Sequence, residues 1–137
     1  MLASCFIAAA AAILLVLGLV HLVYTFAGAK FDPRDPALKL RMQEVSPVIT
    51  RETTMWRTWI GFNASHSFGA ILFGWLYGYF ALAHRDFFFQ SPFLILTGLV
   101  LLAGYVVLGR LYWFSIPFRG IVLATVLYVL GLVVRFA

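Results

Sequence analysis

Residues 50–67 read TRETTMWRTWIGFNASHS, and their reading decides the fold. They bring Asn63, Ser65, His66 and Ser67 into a segment, residues 56–83, that is otherwise apolar and long enough to cross a bilayer. A helix inside lipid has no water to solvate such groups. Polar and ionisable side chains there are rare and costly, and each marks a candidate for function.

The rest of the chain supports the membrane setting. Of 137 residues, 64% are hydrophobic and only 11% are charged. A soluble domain averages roughly 25% charged residues. The mean hydropathy of +0.99 points the same way. The expectation is one all-α, integral membrane domain covering residues 1–137. Besides 56–83, three segments are apolar enough to span: residues 3–29, 92–114 and 116–136. The reading is therefore a four-helix bundle, with the last two spans joined by Ser115, Ile116 and Pro117 in a tight antiparallel turn. Pro117 suits the first turn of a helix, where its missing N–H costs nothing.

The net charge of +5 is spread through loops, which excludes a nucleic-acid-binding face. Topology and anionic lipid headgroups are the better use of it. Lys30, Arg34, Lys39, Arg41, Arg51, Arg57, Arg110 and Arg119 fall on the side of the first loop; Arg85 and Arg135 fall on the other. The positive-inside rule places residues 30–55 in the cytoplasm and both termini outside. Trp56, Trp59, Tyr112 and Trp113 on one side, and Tyr77, Tyr79 and Phe87, Phe88 and Phe89 on the other, read as interfacial belts. The N-terminal stretch reads as an uncleaved membrane helix, because no basic residue precedes Lys30. Cys5, the single cysteine, excludes an internal disulfide and a cysteine metal cluster.

In the first loop, Asp32-Pro33-Arg34-Asp35-Pro36 reads as a rigid turn, since each proline pushes the preceding residue out of helical conformation. Residues 37–45 read as a short amphipathic helix, with Leu38, Met42 and Val45 on one face, able to lie in the membrane interface.

Depth brings the polar groups together. At ~1.5 Å per helical residue, His21 lies ~12 Å, Asn63 ~10 Å and His66 ~15 Å from the first-loop end of their spans. Trp59, Asn63 and His66 share one helical face, as do His21, Tyr24 and Thr25. Facing one another, they would make a polar pocket with Arg51, Glu52, Arg57, Arg110 and Arg119 at its mouth. Gly61, Ser65 and Gly69 form a separate small-residue stripe suited to close helix packing. Ser65 and Ser67 are expected to bond back to their own helix backbone.

No Asp or Glu lies inside a span, which excludes a proton-coupled exporter built on a membrane carboxylate. The cationic lining suits a lipophilic ligand with a polar or anionic head, such as a lipid, isoprenoid or quinone. In that setting His66 or His21 would be a general base, Glu52 its partner at the mouth and Asn63 an oxyanion donor. Arg57, Arg51, Arg110, Arg119, Tyr24 and Trp59 would bind the ligand. Nothing in the sequence specifies a reaction. One alternative is an accessory or assembly subunit of a larger membrane complex or homo-oligomer. Another is a b-type haem protein, with His21 and His66 as axial ligands. No metal site is otherwise expected.

The segments GLVHLVYTF (residues 18–26), FDPRD (31–35) and TTMWRTWIGFNASHSFG (53–69) resemble a family of small four-helix bacterial membrane proteins without an established function. The resemblance implies an inner-membrane location and supplies no catalytic residues. In size and four-span plan the chain is also similar to the DoxX-like proteins, with no shared motif.

Overall fold

The computed structural model describes residues 1–137 and is all-helical. Its six helices are α1 (Leu2–Phe26), α2 (Pro36–Glu44), α3 (Met55–Ala83), α4 (Arg85–Gln90), α5 (Pro92–Tyr112) and α6 (Ser115–Phe136). Three of them, α1, α5 and α6, are long and apolar enough to cross a membrane. The longest helix, α3, has 29 residues and is not among them. Arg57, Asn63, Ser65, His66 and Ser67 dilute its apolar content, although at ~1.5 Å per residue it exceeds the hydrocarbon thickness.

The chain divides into two compact units. One comprises Met1–Leu17 with Ala70–Ala137, the other Gly18–Gly69.

The first unit holds the apolar core. Ile7, Ala10, Ala11 and Leu14 of α1 pack with Phe73, Tyr77 and Ala81 of α3, Phe88 and Phe89 of α4, Leu102 of α5, and Ile121, Ala124 and Tyr128 of α6. Between membrane helices lipid is as apolar as leucine, so close approach of small residues and van der Waals contact do the joining. Gly74 is such a place: a Cβ there would lie 2.6 Å from Ala11 O and from Leu15 Cβ. Two tyrosines are pinned at the start of α5. Tyr77 Oη donates to Leu94 O at 2.8 Å and Tyr128 Oη to Ile95 O at 3.1 Å. Their rings sit 5.9 Å apart, and Phe73 stacks on Tyr77 at 4.3 Å.

This corrects two sequence expectations. Tyr77, Phe88 and Phe89 are buried core residues, not parts of an interfacial belt; only Phe87 and Tyr79 of that group are exposed. The segment after α3 is also helical. His84 precedes α4, whose short length swings Phe88 and Phe89 inward. His84 and Asp86 are exposed, and His84 Nε2 lies 2.8 Å from Tyr79 Oη. The link between α5 and α6 is Trp113 and Phe114, two residues earlier than read from sequence, with Pro117 inside the first turn of α6.

The second unit contains the end of α1, the long loop with α2, and the start of α3. Gly28, at φ +84°, takes the left-handed conformation just beyond α1, so the helix stops at Phe26 rather than 29. Asp35 caps α2 by accepting from Ala37 N–H at 2.9 Å, and Pro36 opens the helix. The short helix is present, and Met42 and Val45 of its expected apolar face are half-buried. Leu38 is exposed, and Lys39 is turned in. Lys39 Nζ makes an ion pair with Asp32 at 2.7 Å and stands 4.8 Å from the Trp56 ring.

Candidate functional site: a histidine and amide cluster

The start of α3 and the end of α1 supply the cluster, all of it within the Gly18–Gly69 unit. Asn63 stands at its centre and is buried. Its Nδ2–H donates to Trp59 O, one helical turn back, at 2.8 Å. A carbonyl oxygen can only accept, so this bond fixes which end of the amide is which. Asn63 Oδ1 therefore faces His21 Nε2, at 3.1 Å. That oxygen is an acceptor, and His21 Nε2 must carry the hydrogen. In the neutral ring Nδ1 then holds the lone pair.

His66, one turn beyond Asn63, meets His21 edge to face, with ring centroids 5.3 Å apart. Its partly buried ring lies on the same side of α3 as Asn63, as i and i+3 require. The hydroxyls around the cluster turn back to backbone. Thr25 Oγ donates to His21 O at 2.8 Å, Ser67 Oγ to Asn63 O at 2.9 Å and Ser65 Oγ to Phe62 O at 2.9 Å. This is the local back-bonding expected of the two serines. No buried side-chain nitrogen or oxygen is left without a hydrogen bond.

One contributor was not read from the sequence. The Phe31 ring lies 4.6 Å from that of His21, and Phe31 O accepts from Trp59 Nε1–H at 3.2 Å. The loop is thus fastened over the cluster by one residue used twice. Its only sequence signal was an aromatic residue immediately before the Asp-Pro turn. Trp59, expected to bind ligand, spends its indole N–H on this bond.

The remaining candidates stand further out. Tyr24 is exposed and has Lys30 Nζ 6.0 Å from its ring. Arg51, Glu52 and Arg57 are exposed, and the backbone N–H groups of Glu52 and Arg57 donate to Thr50 Oγ and Thr54 Oγ. Arg110 and Arg119, also exposed, belong to the other compact unit. The structure thus joins His21, Asn63, His66 and Trp59 of the expected set, and adds Phe31 and Thr25.

Chemically, the cluster is a pair of imidazoles in ring contact, one of them, His21, oriented by the Asn63 amide. No three His, Cys, Asp or Glu residues gather to hold a metal ion. The arrangement does not fit the haem alternative. Two axial histidines must aim nitrogens at each other across a porphyrin plane. Here the rings touch edge to face, and His21 Nε2 is committed to Asn63.

Compared with family models, curated proteins and solved structures, the chain matches none.

Proposed function

We propose that the chain is a multi-pass inner-membrane protein that binds the polar or anionic head of a lipophilic molecule at the His21–Asn63–His66 cluster. The ligand classes are a lipid, an isoprenoid or a quinone. In this reading α3 is the fourth crossing of a four-helix bundle, its polar groups sheltered by its neighbours. The positively charged first loop faces the cytoplasm.

The observation that carries the reading is the placement of two imidazoles 5.3 Å apart beside the buried Asn63 amide, on two helices long enough to cross a bilayer. Isolated polar groups are expensive in lipid, and a purely structural staple needs only one donor and one acceptor. Asn63 and His21 already make that staple. The tautomer it imposes leaves His21 Nδ1 as an acceptor for a hydroxyl or protonated acid on the ligand. The exposed Arg51 and Arg57 form no ion pair with a carboxylate, and they suit an anionic head.

The experiment is native mass spectrometry with lipid analysis of the protein purified in mild detergent. The wild type should carry a defined lipophilic adduct, and His21→Ala/His66→Ala should lose it while remaining folded. An unchanged lipid profile in that variant would sink the proposal. The accessory-subunit reading is separated by gentle extraction at native expression, where a large stable complex favours it and a monomer or small homo-oligomer counts against it.

A further inference from the structure

Residues 46–54 form a loop closed at its base, where Met55 N–H donates to Val45 O at 2.8 Å. At its tip Thr50 N–H donates to Pro47 O at 3.3 Å, which makes Val48 and Ile49 the two corners of a β-turn. Turn corners ordinarily take Gly, Pro, Asn, Asp or Ser. Here they hold two β-branched apolar side chains, 109% and 91% exposed, which cover nothing in the protein. The pair contributes no core contact, so its apolarity has no use within the chain.

Charge indicates what covers it. The long loop and the start of α3 carry six basic residues, Lys30, Arg34, Lys39, Arg41, Arg51 and Arg57, against four acidic ones, Asp32, Asp35, Glu44 and Glu52. Lys39 and Arg41 are paired with Asp32 and Glu44, and Asp35 is engaged in capping α2. Arg51, two residues from Ile49, is exposed and forms no ion pair. An apolar tip beside an unpaired arginine matches a bilayer surface with anionic headgroups. The turn lies in the long connection, residues 27–54, that begins where α1, a helix able to span a bilayer, ends.

We infer that the Pro47–Thr50 turn is a membrane-surface anchor, with Val48 and Ile49 inserted among the headgroups of an anionic bilayer and Arg51 on a phosphate.

The test uses the full chain in vesicles of phosphatidylcholine and phosphatidylglycerol. Cys5 is exposed and would react, so Cys5→Ser is the background. Val48→Cys, Ile49→Cys and, as a polar control on α2, Gln43→Cys are labelled with an environment-sensitive fluorophore. Insertion of roughly 5–10 Å into the headgroup and acyl boundary should shift emission at 48 and 49 to the blue. Nitroxide-bearing lipid should quench those positions, iodide should not, and position 43 should behave oppositely. Iodide quenching at 48 and 49 equal to that at 43, with no effect of nitroxide lipid, would overturn the anchor. So would protection from both quenchers, which would mean that a partner protein or a second copy covers the turn.

Discussion

His21 and Asn63, 42 residues apart, are joined by one hydrogen bond of 3.1 Å that sets the protonation pattern of the imidazole. The order of causes runs from backbone to side chain: Trp59 O orients the Asn63 amide, and the amide oxygen requires a hydrogen on His21 Nε2. Nitrogen NMR of selectively labelled histidine should therefore show neutral His21 protonated at Nε2 and not at Nδ1. Asn63→Ala should release that preference. Double-variant cycles with His21→Ala should give a coupling of about 0.6 kcal/mol, and at most about 2, as interhelical bonds in membranes do. A proton on Nδ1 in the wild type would refute the assignment.

Gly98 lies against the pinned tyrosines. A Cβ there would collide with Tyr128 Oη and lie 2.7 Å from Tyr77 Cε1. Gly98→Ala should destabilise by about 1–3 kcal/mol, the usual range for overpacking. Adding Tyr128→Phe should recover part of the loss, because the nearest obstructing atom is removed. Unfolding in a denaturing detergent series measures both.

Two glycines in helices should respond with opposite signs. At Gly74 the obstruction is backbone and Cβ of α1, which no rotamer change can relieve, so Gly74→Ala should weaken the protein by more than Gly98→Ala does. At Gly104 nothing lies within 4 Å of a Cβ. Gly104→Ala should be neutral, or stabilising by up to about 1 kcal/mol through lower chain entropy. Equal effects at the two sites would contradict the packing described.

Asp35→Ala removes the side-chain cap of α2 and should cost about 1 kcal/mol of local helix stability. Hydrogen exchange should speed up in residues 36–44 and leave α5 and α6 unchanged. Uniform acceleration across the chain would show that α2 is not a locally stabilised element.

Parts of this arrangement were legible because the physics is local. The prolines of residues 32–36 announce a turn before the short helix, because each excludes the helical conformation for the residue before it. The apolar runs of α5 and α6 announce membrane helices by length. Helical spacing and depth put His21, Asn63 and His66 in one layer, since residues three and four apart share a face whatever else the chain does. Tyr77 and Tyr79 show the limit. Both lie near one end of α3, and both are tyrosines. One is buried and bonded to Leu94 O, and the other is exposed against His84. Residues two apart on a helix face nearly opposite sides, so at most one of the two could join the core; which one depended on where the neighbouring helices lie. The Phe87-Phe88-Phe89 run was opaque for the same reason, until α4 assigned two rings to the core.

The sequence by itself determined the solvent this protein is built for, the helical class, and the residue types that would be costly within it. Tertiary structure decided how that cost is met: Asn63 bonds His21 through an amide oriented by Trp59, Phe31 covers the imidazole, and Lys39 turns inward to Asp32 and Trp56. The reason is that hydropathy and helical period are properties of consecutive residues. A hydrogen bond's partner and direction depend instead on which atoms the fold brings within about 3 Å.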